Sequence, residues 1–175
     1  MEAYLDAIAG GDLNRVIELR QEGVECDSSM THLAAELGHL DILIWFHENT
    51  TVAWDQTTFA RAARSGNLKY LQYLVDNNCP YDSDVYIHAA QAGQLDVLKY
   101  LHKTLTDCEW TEWACAYAAR NGHLGCLKYL HRNGCTWNKW VYKWAYSNNR
   151  HKCLQYLKKY GNKRKSRHWY YATSI

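Results

Sequence analysis

The sequence predicts an all-α solenoid, in which short helix-turn-helix repeats stack side by side. Three features recur in register along its 175 residues. A turn signature, Gly followed by a variable residue and Leu, returns at intervals of 27, 28, 27 and 29 residues, at Gly11, Gly38, Gly66, Gly93 and Gly122. A pair of alanines precedes most of these turns, and leucines three apart follow them. Self-similarity with such a period is typical of repeat proteins.

Each repeat is predicted to hold two helices. The first, helix A, ends with the alanine pair, such as Ala62 and Ala63, which lets helices of adjacent repeats approach closely. The second, helix B, follows the turn glycine and carries an apolar stripe on one face, as at Leu68, Leu71 and Leu74. Helices of about eight to ten residues are marginal alone, so each must bury its apolar face against its neighbours.

A loop of about five residues closes each repeat and ends in a residue expected to cap the next helix A. These capping residues are Asp27, Asp55, Asp82, Thr111 and Asn138. A sixth, degenerate turn runs from Asn149 to His151. We therefore expect one array over residues 1–161, with repeats at about 1–27, 28–54, 55–81, 82–110, 111–137 and 138–161, followed by a basic and aromatic tail at 162–175.

Two segments carry a resemblance to a known family. Residues 31–42 read THLAAELGHLDI and residues 134–138 read GCTWN, and both resemble the ankyrin consensus. The likeness extends over about residues 3–161. Ankyrin repeats are about 33 residues long, and the part missing here is the β-hairpin finger. This shortened form, seen in residues 122–137, is similar to ankyrin proteins abundant in large DNA viruses of amoebae and algae.

The resemblance implies a protein–protein interaction module that binds along a concave face, with helix A as the recognition surface because the fingers are missing. We expect a protein partner to contact side chains beside the alanine pairs: Arg61, Arg64, His88, Gln91, Tyr117, Arg120, Asn121 and Trp144. Polar and aromatic residues vary here from repeat to repeat, which is typical of a specificity surface. Arg and aromatic anchors would carry most of the binding energy.

Aromatic residues divide into two groups. One occupies regular repeat positions and is predicted to pack as core: a ladder of loop residues at Trp54, Tyr81, Trp110 and Trp137, and half-buried helix B residues at Tyr73, Tyr100, Tyr129 and Tyr156. The other comprises Trp113, Trp140 and Trp144 in helix A of the last two repeats, together with Tyr117 and Tyr146. For this second group two interpretations stand, an interface patch and local core.

Charge is distributed unevenly along the chain. Residues 1–87 hold five Lys and Arg against fourteen Asp and Glu, a balance of −9, whereas residues 88–175 hold fifteen against four, a balance of +11. The last acidic side chain is Glu112. This asymmetry favours a charged partner or head-to-tail self-association.

Two further functions are alternatives: a structural part of a larger assembly such as a virion, and binding of nucleic acid or another polyanion by the basic half. Candidates for polyanion binding are Lys139, Lys143, Lys158, Lys159, Lys163, Arg164, Lys165 and Arg167. The basic tail is also explained by a nuclear import signal or by a solvated chain end.

The location expected for the chain is the cytoplasm, or the host cytoplasm for a viral protein, with the nucleus as the alternative. Glu2 and Asp6 interrupt the apolar run near the N-terminus, so no secretory signal is expected. The longest apolar stretch near the middle, Ile42–Phe46, is too short to cross a bilayer.

No enzyme activity, metal site or cofactor is expected. The seven cysteines contain no CxxC pair, and Cys79, Cys108 and Cys135 share one repeat position, so we interpret the cysteines as buried free thiols. The histidines likewise fall at repeat positions and show no HxxxH or HExxH spacing. Glycine-rich phosphate-binding motifs and the GxSxG motif of hydrolases are absent from the sequence.

Overall fold

The computed structural model describes residues 2–161, and this part of the chain consists of twelve α-helices without a β-strand. The A helices are α1 (Glu2–Ala9), α3 (Ser28–Leu37), α5 (Gln56–Ser65), α7 (Asp84–Ala92), α9 (Glu112–Asn121) and α11 (Lys139–Ser147). The B helices are α2 (Leu13–Gln21), α4 (Leu40–Asn49), α6 (Leu68–Asp76), α8 (Leu95–Thr104), α10 (Leu124–Arg132) and α12 (His151–Tyr160). The predicted all-α solenoid is confirmed.

Stacking of the repeats depends on the alanine pairs. Ala34, Ala35, Ala62 and Ala63 are completely buried, and so are their counterparts in α7 and α9. Because these side chains are small, the A helices of neighbouring repeats pack closely, whereas the B helices touch one another much less. The A helices are therefore the more tightly packed layer of the array, and the B helices form the looser layer.

The turn after helix A also links each repeat to the preceding one. Gly93, at the end of α7, has φ 79°, a region that favours glycine. The ring of His123 in the next repeat folds back over Gly93, and its Nε2 donates a hydrogen bond of 3.1 Å to the carbonyl of Gln91. A Cβ atom on Gly93 would lie 2.6 Å from His123 Nδ1. Equivalent links run from Gln94 to the Arg64 carbonyl and from Arg150 to the Arg120 carbonyl.

The helix caps largely follow the prediction. The side chains of three predicted caps accept a backbone N–H from the first turn of α3, α5 and α11, at Asp27, Asp55 and Asn138. The prediction for Asp82 is wrong by one residue, because α7 begins at Asp84 and Ser83 precedes it. Asp82 still accepts the N–H of Asp84, at 2.9 Å. Thr111 directly precedes α9, but its side chain makes no capping hydrogen bond.

Loop and helix B aromatic residues join repeats through a recurring three-residue contact, which we name the clasp. In its first copy the ring of His47 stacks on Trp54, with 3.7 Å between centroids. His47 Nδ1 is also hydrogen-bonded, at 3.0 Å, to the Tyr73 hydroxyl of the next repeat. Two further copies are His102–Trp110–Tyr129 and His131–Trp137–Tyr156.

The clasp corrects the prediction of an aromatic ladder. The loop rings do pack against the core, but they are only half-buried. Histidine and tyrosine rings stand beside them, so the ladder mixes three residue types. The first and third repeats lack a copy, because Arg20 and Val75 take the place of the histidine.

The cysteines are free thiols in this structure, and most of them are buried as expected. Cys108 is an exception to that expectation, since it is only half-buried, and Cys26 is another. The Sγ atoms of Cys115 in α9 and Cys135 in the following loop lie 3.0 Å apart. Sequence comparison of equivalent positions missed this contact, because the two cysteines occupy different positions of one repeat.

Candidate functional site

The solvent-facing side of helix A carries three rows of side chains, with one residue from each repeat in every row. Residues three or four apart share a helix face, so the rows run side by side across the array. From the second repeat to the sixth, the central row is Leu33, Arg61, His88, Tyr117 and Trp144. The flanking rows are Glu36, Arg64, Gln91, Arg120 and Ser147, and Ser29, Thr57, Asp84, Trp113 and Trp140. None of these fifteen side chains is buried, whereas the alanine pairs between them are buried, apart from Tyr146 of the last pair.

Seven of the eight predicted partner-binding residues belong to these rows. The eighth, Asn121, lies one position further on and donates from Nδ2 to the carbonyl of Gln91, at 2.6 Å. Asn121 therefore joins two repeats and is less available to a partner than the sequence suggests. The structure brings the other seven together on one surface.

Repeats two to four contribute a polar part of this surface. The guanidinium of Arg61 is paired with the Glu36 carboxylate, and Arg64 Nη1 lies 3.8 Å from the same carboxylate. His88 is half-buried, and this burial lowers the pKa of its imidazole, so the ring is neutral near pH 7. Its Nδ1 is buried and has no hydrogen-bond partner among the described residues.

Repeats five and six contribute an aromatic and basic part, which we name the cationic aromatic patch; it comprises Trp113, Tyr117, Arg120, Trp140, Lys143 and Trp144. The ring of Trp144 lies at its centre, with ring centroids 5.1 Å from Tyr117, 5.6 Å from Trp140 and 5.8 Å from Trp113. Such spacings are typical of favourable tilted aromatic pairs.

Cations lie over the rings of the patch. The guanidinium carbon of Arg120 is 5.3 Å from the centroid of Trp144 and 5.9 Å from that of Tyr117. Lys143 Nζ is 4.7 Å from the centroid of Trp140, and Lys139 Nζ is 5.4 Å from it. These distances fall within the range of cation–π attraction.

Of the two interpretations of the large tryptophans, the structure shows the local packing, and the interface patch stays a prediction. Trp113 is 37% exposed, and Trp140 and Trp144 are half-buried. They pack against one another on the solvent-facing side of helix A, so they form a local cluster that is also accessible to a partner. Helix periodicity indicated this face, but the mutual ring contacts depend on how α9 and α11 are placed side by side.

The remaining basic candidates lie apart from this surface. Lys158 lines a depression of about 530 Å³ at the last repeat, together with Tyr146, Ser147, Asn149, His151 and Leu154. Lys159 also belongs to α12, where its Nζ is 5.3 Å from the ring of Tyr160. The other four candidates, Lys163, Arg164, Lys165 and Arg167, lie outside the described residues, as does the predicted tail.

Residues 2–161 contain neither a metal-binding cluster nor a helix that could span a membrane. Within that range no group of three or more His, Cys, Asp or Glu side chains could hold a metal ion. Among the same residues, no helix combines the length and the apolar character that crossing a membrane requires.

Three comparisons with known proteins bear on the family and the fold of the chain. A family model described as ankyrin repeats (3 copies) matches residues 31–111 and 86–168. The chain is also similar to the crystal structure of the human ASB11 ankyrin repeat domain, with a TM-score of 0.67 and 18% identity, over 93% of this chain and 85% of that chain. At this identity the likeness concerns the fold alone. A search of curated proteins found no match.

Proposed function

Since the chain belongs to the ankyrin-repeat family, whose repeats generally mediate protein–protein interaction, we propose that it binds a protein partner through the three rows on helix A. The proposed role is that of a non-catalytic module. Most of the affinity comes from arginine and aromatic anchors, which are the residue types that dominate interface energetics. The proposed anchors are Arg61, Arg64, Tyr117, Arg120 and Trp144, with His88 and Gln91 contributing specificity.

One observation carries this proposal. The positions between the rows are nearly constant and buried, whereas the positions within the rows differ in charge, size and polarity from repeat to repeat. Packing alone does not require arginine at one repeat, histidine at the next and tryptophan at another. A surface that binds one partner in preference to others does require such variation, because specificity is a difference of affinities.

The proposal is tested with a binder selected from a displayed peptide library on the wild-type protein. Its affinity is then measured, by biolayer interferometry, for the variant Arg64→Ala/Arg120→Ala/Trp144→Ala. Loss of these anchors should weaken binding by about tenfold or more. Circular dichroism melting checks that the variant remains folded.

A matched control removes three exposed lysines from the B helices, as Lys69→Ala/Lys103→Ala/Lys152→Ala. Its affinity should stay within about twofold of the wild type, because isolated surface charges contribute little. If the control loses binding and the first variant does not, the assignment to helix A is wrong.

We also propose four finer properties of the chain. Binding of a polyanion by the basic half is supported by the thirteen Lys and Arg residues that follow Glu112 without an acidic side chain. Head-to-tail association is supported by the opposite charge of the two halves. A cytoplasmic location, and kinship with the ankyrin proteins of large DNA viruses, rest on the sequence alone.

A further inference from the structure

Cations in equivalent positions of the array have different surroundings. Arg64 of α5 and Arg120 of α9 occupy the same row, with α7 between them. Arg64 lies beside the carboxylate of Glu36. Arg120 and Lys143 have no carboxylate within 4.0 Å among the described residues, and each lies over an aromatic ring instead.

The lack of a carboxylate follows from the sequence around the patch. Glu112 is the last acidic side chain of the chain, and its carboxylate accepts a hydrogen bond of 3.5 Å from Asn138 Nδ2. The patch therefore holds two cations that no carboxylate of the described residues approaches within 4.0 Å. An uncompensated patch of one sign attracts groups of the opposite sign from solution.

The geometry points to one partner chemistry. We propose that the cationic aromatic patch binds an acidic peptide segment, in which Asp or Glu side chains alternate with apolar or aromatic ones. A carboxylate of the segment is held between Arg120 and Lys143, and an apolar side chain lies against the exposed ring of Trp113. This inference rests on the proposed function and specifies the partner for its last two repeats.

The aromatic rings restrict the Arg120 and Lys143 side chains before a carboxylate binds. Cation–π contacts hold the Arg120 and Lys143 side chains against Trp144 and Trp140, so less side-chain entropy is lost when the carboxylate binds. The guanidinium can also donate two parallel hydrogen bonds to a carboxylate. Apolar contact with the adjoining rings excludes water from the ion pairs, which strengthens them.

A single-stranded nucleic acid fits this arrangement less well. Stacking of bases needs open faces of aromatic rings. In the patch, the faces of Trp140, Trp144 and Tyr117 are approached by cations and by other rings. Trp113 is left as the most exposed ring of the group.

The test is a fluorescence anisotropy titration of the full chain with a short labelled peptide in which Asp and Glu alternate with Leu and Trp. Two competitors are titrated in parallel: the same peptide with Asn and Gln in place of the acids, and a short single-stranded DNA. The acidic peptide should bind about tenfold or more tightly than the amide peptide at low ionic strength, and added salt should reduce the difference.

The patch variant is Arg120→Gln/Lys143→Gln, which changes two exposed side chains. It should weaken binding of the acidic peptide by about tenfold or more, whereas the matched control Lys103→Gln/Lys152→Gln, with the same change in net charge, should weaken it by less than about twofold. A third variant, Trp113→Ala, should weaken binding without altering the dependence on salt.

Three results overturn the inference: no preference for the acidic peptide, equal losses in the patch and control variants, or tighter binding of the DNA. Any of them leaves the proposed function standing if the library-selected binder still depends on Arg64, Arg120 and Trp144. Failure of the proposed function is a different result, since that binder would then be insensitive to all three anchors.

Discussion

Replacement of Gly93 by alanine tests the link between repeats most directly. At φ 79° an alanine costs about 1–2 kcal/mol, because its Cβ crowds the backbone in the left-handed region. The new Cβ would also lie 2.6 Å from His123 Nδ1, so the imidazole must move and its hydrogen bond to Gln91 is lost. That bond adds about 0.5–1.5 kcal/mol. We expect Gly93→Ala to lower the free energy of unfolding by about 1.5–3.5 kcal/mol.

Gly134 provides a matched control, since its φ is 95° and a Cβ added there would meet nothing within 4 Å. Gly134→Ala should therefore cost only the backbone part, about 1–2 kcal/mol. Any effect of alanine on the unfolded chain is shared by both variants and cancels in the comparison.

The assay is urea unfolding, followed in parallel by tryptophan fluorescence and circular dichroism so that a stepwise transition would be noticed. A His123→Ala background removes the obstructing ring, and in that background Gly93→Ala should cost no more than Gly134→Ala. If Gly93→Ala and Gly134→Ala are equally destabilising in the wild-type background, the close approach of His123 does not stabilise the array.

Three other measurements probe the interior. The buried Tyr70 hydroxyl has no hydrogen-bond partner among the described residues, so Tyr70→Phe should raise the free energy of unfolding by about 1 kcal/mol. Tyr86→Phe loses the hydrogen bond from the hydroxyl to the Cys108 carbonyl and should lower the free energy of unfolding by a similar amount. Burial lowers the pKa of His131, so the unfolded chain binds more protons and stability should fall as pH drops from 7 to about 5, less steeply in His131→Gln. A hydrogen bond to Cys135 and burial raise the pKa of the Cys115 thiol, so iodoacetamide should alkylate Cys115 only after denaturation. The half-buried Cys26 should be alkylated in the folded protein. Mass spectrometry would distinguish the two thiols.

The sequence predicted those features that repeat at one position in every unit. Helix order, buried alanine pairs and the shared face of Arg61 and Tyr117 follow from spacing, because helical periodicity and close packing act locally. The cap at Asp55 was predictable for the same reason, since it involves only neighbours in the chain.

Contacts between different positions were not predictable in this way. The approach of Cys115 to Cys135, and the position of Trp144 amid three other rings, depend on rotamers and on the placement of neighbouring helices. The one-residue shift of the helix cap from Asp82 to Ser83 has a local cause. Neighbouring residues here are all of types that cap helices, so residue type alone does not decide which of them directly precedes α7. Sequence spacing predicts which residues share a surface, but it does not predict which of these residues contact one another.

The clasp has a consequence for how the molecule comes apart. Copies join the second repeat to the third, the fourth to the fifth and the fifth to the sixth. The joint between the first and second repeats has Arg20 at the histidine position and the joint between the third and fourth has Val75, so neither carries a clasp. In a linear array each joint contributes separately to cohesion. Opening should therefore begin at these two joints, so that the first repeat separates from the end and the remainder divides into a block of repeats two and three and a block of repeats four to six. Each block should melt as its own cooperative unit and expose fresh apolar ends.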